Sequence, residues 1–283
     1  MRLRSLLFVP GDRPERFAKA AASGADAIIL DLEDSVAPAN KVAAREAIGE
    51  YLNRKRETFT LLRINALDGQ MVEADLAVAA MGLPDAIMLP KAAGAQTIRE
   101  LDGKLRGLLS GDAVLPPIMP IAAETPAAIF TLGSYGEVSE RLLGLTWGAE
   151  DLPAAIGASA NRQENGHFTS PIELARSLTL FAAHGAGVAA IDTVFSSISD
   201  GAGLTAYAAR ARRDGFNGMM AIHPSQVATI NAAFTPVAED VARAQAIVDA
   251  FAASPDAGVL QIDGKMIDAP HLKQARRILA LAS

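Results

Sequence analysis

The sequence predicts an α/β fold, a (β/α)8 TIM barrel with a C-terminal helical extension, on three observations. Eight short apolar runs alternate with longer, alanine-rich helical patterns across 283 residues. Most of these runs are apolar without alternation, the mark of parallel strands covered on both faces. The third is the turn after the first run: Val9-Pro10-Gly11-Asp12-Arg13-Pro14 is neither G-x-G-x-x-G nor a P-loop, which weighs against the competing doubly wound open sheet. Eight βα units of this size fill a barrel of ordinary length.

The expected strands, in order, are Leu6–Val9, Ala27–Leu32, Thr60–Ile64, Ala86–Leu89, Pro117–Ala122, Leu142–Trp147, Ala190–Phe195 and Met219–Ile222. The expected helices between and after them are Pro14–Ser23, Asn40–Asn53, Gln70–Met81, Ala95–Leu109, Pro126–Leu132, Pro171–His184, Ala202–Asp214 and Pro224–Ala233. Pro14, Pro126, Pro171 and Pro224 fall at first-turn positions, where a missing N–H is harmless. A barrel domain over residues 1–233 is therefore expected, followed by an extension over 234–283 that is placed to contact a neighbouring subunit. The extension holds a helix at Val237–Ala252, a turn at Ser254-Pro255-Asp256, an extended piece at Val259–Ile262 and an amphipathic helix from Pro270. A long polar loop, Ser159 to Phe168, follows the sixth strand and is expected to cover the site.

Bulk composition narrows the function. With 50% hydrophobic residues the chain can bury a large core, and its net charge of −6 with no dense Lys/Arg block argues against nucleic acid as a partner. The absence of cysteine removes disulfides, thiolate zinc sites and thiol nucleophiles, and fits a reducing cytoplasm. The basic start and apolar run at Arg2–Val9 stop at Pro10-Gly11, too soon for a signal peptide, and no apolar stretch is long enough for a membrane span. A cytoplasmic protein with no membrane partner is expected.

The chemistry sits where apolar runs end in acid. Ala122-Ala123-Glu124 and Gly148-Ala149-Glu150-Asp151 each follow a buried strand, at the end where α/β proteins build their sites. Two carboxylates on neighbouring strand ends match Mg²⁺, which uses one or two protein carboxylates with water and substrate oxygens; each acid capping the next helix is the alternative. Glu150 has no assigned task. In Asp31-Leu32-Glu33-Asp34, alternation puts Asp31 and Glu33 on one side as a supporting shell, while Asp34 is offered a structural pair with Lys41 or Arg45. Arg63, between Leu62 and Ile64, is a buried arginine whose planar fork suits a carboxylate or a developing oxyanion; a salt bridge to Glu33 or Asp31 is the structural alternative. Lys91 also ends a strand, but a metal site makes a Schiff-base role redundant. The four histidines show no zinc spacing, and no nucleophile elbow is present.

These motifs resemble the citrate lyase β-subunit-like proteins of the HpcH/HpaI aldolase and malyl-CoA lyase family. The resemblance runs through Arg4-Ser5-Leu6-Leu7-Phe8-Val9-Pro10-Gly11-Asp12-Arg13-Pro14, Ile29 to Val36, Lys41-Val42-Ala43-Ala44-Arg45, Arg63-Ile64-Asn65, Leu89-Pro90-Lys91, Glu124-Thr125, Gly148 to Leu152 and Ile222-His223-Pro224-Ser225-Gln226. It implies a TIM barrel and a Mg²⁺-dependent oxo-acid lyase acting on a 3-hydroxyacyl-CoA such as a malyl- or citramalyl-CoA. Glu124 and Asp151 would hold the metal, Arg63 and Glu124 would contact substrate, and Asp268 in the extension would serve the neighbouring subunit of a homotrimer. Arg13, Lys19 and Lys41 become candidates for the CoA phosphates. Rival readings are a citryl thioester lyase subunit working with an acyl carrier protein, a malate-synthase or thioesterase-like activity, or a CoA-binding partner with weak catalysis.

Overall fold

The computed structural model describes residues 2–109 and 113–282. Met1, the first residue of the expected barrel domain, lies outside the described residues. Eight parallel strands run in the order β5-β4-β3-β2-β1-β8-β7-β6. They are β1 (Ser5–Pro10), β2 (Ala27–Asp31), β3 (Phe59–Arg63), β4 (Ala86–Leu89), β5 (Ile118–Pro120), β6 (Gly144–Leu145), β7 (Ala189–Asp192) and β8 (Gly218–Ala221). The two ends meet: Leu143 N–H donates to the Ile118 carbonyl at 2.8 Å and Ala122 N–H to the Thr146 carbonyl at 2.7 Å, closing the barrel between β5 and β6.

Strand periodicity explains both the core and the site. Ala27 and Ile29, Leu61, Ala86 and Met88, Met119 and Ile121 pack with Leu6, Ile191 and Met220 in one cluster. Side chains two apart on a strand share a face, so the inward series of β2 continues from Ile29 to Asp31 and that of β3 from Leu61 to Arg63. Asp31 and Arg63 are also paired in the β2–β3 register. Their strand neighbours Ile28, Leu30 and Leu62 are fully buried on the opposite face. Apolar residues on both faces of a strand are the physical content of the continuous apolar runs.

The helices are α1 (Phe17–Ala21), α2 (Lys41–Leu52), α3 (Val72–Gly82), α4 (Ala95–Leu108), α5 (Pro126–Ile129), α6 (Asp151–Ala155), α7 (Ser170–Ala186), α8 (Gly201–Asp214) and α9 (Pro224–Phe234). Pro126 and Pro224 open their helices and Pro171 is the second residue of α7, while Pro14 opens a 3₁₀ turn, Pro14–Arg16, before α1. The sequence reading missed a further 3₁₀ segment, Leu132–Arg141, where Gly133 and Gly136 dilute any α-helical pattern.

The chain separates into two units, one of residues 3–231 and one from Ala232 onward, with the join inside α9. The second unit holds α10 (Ala238–Ala253), an antiparallel pair β9 (Val259–Ile262) and β10 (Lys265–Asp268), and α11 (Ala269–Ala282). It has a small core of its own around Ala244, Ile247, Ile267 and Ala275. The hairpin turn is Asp263-Gly264, both at positive φ (50° and 76°), the geometry that a two-residue turn needs and that Asp-Gly supplies.

Candidate active site at the C-terminal end of the barrel

A cleft of about 410 Å³ opens at the C-terminal ends of the strands. Its wall includes Arg63, Asp31, Glu124 and Asp151, with Phe8, Ile121, Val194, Met220 and Ile222 supplying apolar surface. The structure thus brings four of the six sequence-predicted site residues to one cavity. Glu33 lies beside it, and Asp268 belongs to the second unit.

Arg63 is gripped from two sides. Its Nε and Nη2 donate to Asp31 Oδ1 and Oδ2, both at 2.6 Å, a bidentate fork. Its Nη1 lies 2.9 Å from Glu33 Oε2, off the N–H direction, so this contact is ionic rather than a hydrogen bond. The guanidinium also stacks over the Phe8 ring, 4.8 Å from its centroid. Burial works against the charge on Arg63, but the bonds and charge of Asp31, with Glu33 behind them, raise its pKa and keep it cationic. Asp31 is fully buried, which alone would push its carboxyl up; Arg63, Ser35 and the Glu33 N–H together bring it below the usual carboxylate range. The structural alternative for Arg63 is therefore present, and it coexists with a guanidinium face on the cleft.

Lys91 ties two acids together. Its Nζ is 2.8 Å from Glu33 Oε1, and its backbone N–H donates to Glu124 Oε2 at 2.5 Å. Lys91 sits at φ +52°, a left-handed conformation that costs a non-glycine residue on the order of 1–3 kcal/mol and aims this N–H at Glu124. Burial lowers the lysine pKa, yet the Glu33 bond and the charges of Glu33, Asp34 and Glu124 together outweigh it and the net shift is upward. A protonated, paired ammonium is no Schiff-base nucleophile. Burial dominates at Glu33 too, and its carboxyl is raised despite Arg63 and Lys91.

Glu124 is the electrostatic anomaly. It is 4% exposed, and among the described residues no lysine or arginine side chain pairs with it. Burial, reinforced by Asp151 and Glu33 and only partly offset by the Lys91 N–H and Arg63, pushes its carboxyl up to about 8. Gly148 is packed against it: a Cβ there would lie 3.0 Å from Glu124 Cγ and Oε1, so a larger residue would have to shift the Glu124 side chain. The helix-cap alternative fails for both acids. Thr125 caps α5 by accepting from the Ala128 N–H, and no side-chain cap bond closes the start of α6, where Asp151 is the first residue. Two hard-oxygen donors on one cavity, one of them buried and raised in part by the charge of the other, fit a divalent cation, whose charge would relieve that repulsion. Among the described residues no cluster of three or more such groups occurs, so the remaining positions on a cation here would fall to water and substrate.

Three expectations change. Asp34 pairs with neither Lys41 nor Arg45; Arg45 binds Asp75 at 2.7 Å, and the nearest cation to Asp34 is Arg63 at 3.8 Å. Lys41 is 7% exposed, and its ammonium is consumed by the Leu32 and Glu33 carbonyls and Asn65 Oδ1, which removes it as a phosphate contact. The loop from Ser159 to Phe168 contributes nothing to the cleft wall; Asn161 Nδ2 donates to the Ala149 carbonyl at 3.3 Å and Phe168 packs edge-on against Trp147 at 5.4 Å, so it props the Gly148–Asp151 loop from outside. A second cleft of about 440 Å³ adjoins the first through Asp34 and is lined by Val36, Pro38, Asn65, Met71 and Lys91.

Sequence reasoning missed Asp192. It ends the apolar run Ala189-Ala190-Ile191, the same sign that marks Glu124 and Asp151, but it lies inside the expected strand Ala190–Phe195. It is fully buried and bonded to Trp147, Arg176 and Tyr207. Asp268, at the end of β10, has Oδ1 2.5 Å from His271 Nδ1, and that bond holds its carboxyl below the usual range.

Comparison with known proteins agrees over nearly the whole chain. The HpcH/HpaI aldolase/citrate lyase family matches residues 4–224. The chain is 33% identical to the citrate lyase subunit beta of Escherichia coli K12, over 99% of this chain and 93% of that protein. It is likewise 33% identical to the mitochondrial citramalyl-CoA lyase of Mus musculus, over 99% of this chain and 86% of that one. Its fold superposes on the crystal structure of protein CitE from Mycobacterium tuberculosis in complex with magnesium, acetoacetate and coenzyme A, with a TM-score of 0.84 and 35% identity over 99% of this chain and 97% of that one.

Proposed function

Because the chain belongs to the HpcH/HpaI aldolase/citrate lyase family, we propose that it is a Mg²⁺-dependent carbon–carbon lyase of a 3-hydroxyacyl-CoA thioester. A malyl-CoA- or citramalyl-CoA-like thioester is split into acetyl-CoA and a 2-oxo acid. The observation that carries this reading is Glu124, buried beside Asp151 with no cationic side chain of its own and facing the same cleft as Arg63. A citramalyl-CoA lyase relative and a magnesium- and coenzyme A-bound structural relative support the thioester and the metal.

Glu124 and Asp151 would hold Mg²⁺, which when bound neutralises the carboxylate of the acid half and favours charge on its hydroxyl oxygen. The rest falls to side chains. Arg63, fixed by Asp31, presents a cation to the thioester oxygen as the carbon–carbon bond breaks and its electron pair moves into the acetyl-CoA enolate. The apolar wall of Phe8, Ile121, Val194, Met220 and Ile222 excludes water from that carbanion. Asp268 of a neighbouring copy, a carboxylate that His271 holds below the usual range, takes the hydroxyl proton and passes it to the enolate carbon, making the new methyl group. Asp31 and Glu33 keep Arg63 charged and oriented, and the adjoining cleft gives the pantetheine arm a path out. A homotrimer in the cytoplasm completes the proposal: a tail that serves the next copy implies a head-to-tail ring.

The citrate lyase subunit relatives favour one alternative, in which the same cleft takes a thioester borne on an acyl carrier protein. A panel of malyl-, methylmalyl-, citramalyl- and citryl-CoA with Mg²⁺ separates the two. Release of a 2-oxo acid from a free CoA thioester is expected. Turnover that appears only when carrier protein is added would replace the proposal with the alternative.

A further inference from the structure

A single buried carboxylate joins the ends of two strands beneath the candidate metal loop. Asp192 closes β7 and is fully buried. It accepts from Trp147 Nε1 at 2.8 Å, from Arg176 Nε at 3.0 Å and Nη2 at 2.8 Å, from the Tyr207 hydroxyl at 3.1 Å and from the Thr193 N–H at 2.9 Å. None of Trp147, Arg176, Asp192 or Tyr207 lines the cleft, yet two of these bonds, those to Trp147 and Thr193, lead to residues that do. Thr193 and Val194 form its wall on one side, and Trp147 is followed at once by Gly148-Ala149-Glu150-Asp151 on the other.

A buried charge with this many directional partners is a poor way to gain stability, since packed apolar residues of similar volume do as well or better. What it supplies is orientation. The indole can turn only by breaking its bond to Asp192 and its edge contact with Phe168. The Trp147 backbone carries Gly148, which already lies against Glu124 within the distance a Cβ would need, so a displaced Trp147 moves that contact and the position of Asp151 together. Outer groups that orient ligands are worth about 10- to 100-fold in metal affinity or activity.

We propose that Asp192 and Trp147 are positioning residues for the divalent-cation loop, the indole N–H to carboxylate bond setting the separation of Asp151 from Glu124. This rests on the reading that Glu124 and Asp151 hold Mg²⁺, and its test keeps the two apart. Mg²⁺ dissociation constants would be measured by calorimetry on the metal-free protein for wild type, Trp147→Phe, Asp192→Asn, Asp214→Asn and Asp151→Asn. Trp147→Phe keeps an aromatic ring but removes the N–H together with part of the buried indole, and Asp192→Asn probes the same bond with the indole intact. Asp214→Asn removes a 2.6 Å bond to Arg176 Nη1 at the far side of the network and leaves the indole bond in place. Trp147→Phe and Asp192→Asn should each weaken Mg²⁺ about tenfold or more, while Asp214→Asn lowers the melting temperature and keeps the wild-type constant. Trp147 is the sole tryptophan, so wild-type emission should change on Mg²⁺ addition and saturate with the calorimetric constant. Wild-type Mg²⁺ affinity in Trp147→Phe overturns the proposal even if Asp192→Asn does not fold, as does tryptophan emission that ignores bound Mg²⁺. Wild-type affinity in Asp151→Asn would instead remove the metal assignment itself.

Discussion

Arg63 carries two requirements that a lysine meets only in part. Its fork spans both oxygens of Asp31, and its charge must stay fixed at the cleft while an enolate oxygen forms. Lysine keeps the charge and loses the fork. Arg63→Lys should therefore lower kcat by about 10²- to 10³-fold, the range for removing one preorganised oxyanion donor, with substrate binding less affected; steady-state kinetics that stay near wild type would reduce Arg63 to a structural role. Asp31 answers for the other half of the pair. Asp31→Asn removes the bidentate half of the pairing and leaves the buried guanidinium with Glu33 as its close counter-charge, so denaturant unfolding should show a loss of about 1–3 kcal/mol, with unchanged stability counting against the pair as drawn. Glu124 behaves in the opposite sense, since burial disfavours its charge and a bound cation would stabilise it. Millimolar Mg²⁺ should raise the melting temperature of the wild type, as any ligand of the native state does, and should not raise that of Glu124→Gln.

The strand ends are where these residues become a site, and close packing at those ends is tight. Gly11, just past β1, donates its N–H to the Asp31 carbonyl at 2.9 Å, and a Cβ there would lie 2.6 Å from that oxygen. Gly11→Ala should cost about 1–3 kcal/mol by overpacking and disturb Arg63 through Asp31, readable as a joint fall in melting temperature and kcat. Much of this level was legible in the sequence, because a parallel barrel writes itself as apolar runs that end in the residues lining the site. Alternation placed Asp31 and Glu33 together, and both indeed reach Arg63. Less legible were features that depend on neighbours distant in sequence. In sequence Lys41 reads as a partner for Asp34 or a contact for the CoA phosphates, yet three oxygens from two other strand ends enclose it. Asp192 needed Trp147, Arg176 and Tyr207 around it before it differed from any strand-ending acid. The strand β10 was passed over although Asp263-Gly264, between Ile262 and Lys265, is a strong local hairpin signal; alternation over Lys265–Asp268 is too short to stand out.

At the scale of the whole molecule the open question is how the second unit takes part. It has its own core and carries Asp268, held beside His271 at the end of β10. If Asp268 serves a neighbouring copy in a ring, mixing Asp268→Ala with Arg63→Ala protomers under proven subunit exchange should restore part of the activity that each lacks alone. No recovery would return Asp268 to a structural role. Among the described residues no helix is long and apolar enough to cross a membrane. The central claim is that cleavage runs through a cation held by Glu124 and Asp151. Its most direct test is the initial rate of 2-oxo acid release from citramalyl-CoA as Mg²⁺ is titrated into chelator-treated wild type and Asp151→Asn. Saturable activation of the wild type and none of the variant is expected; full-rate cleavage in the presence of chelator would rule the cation out.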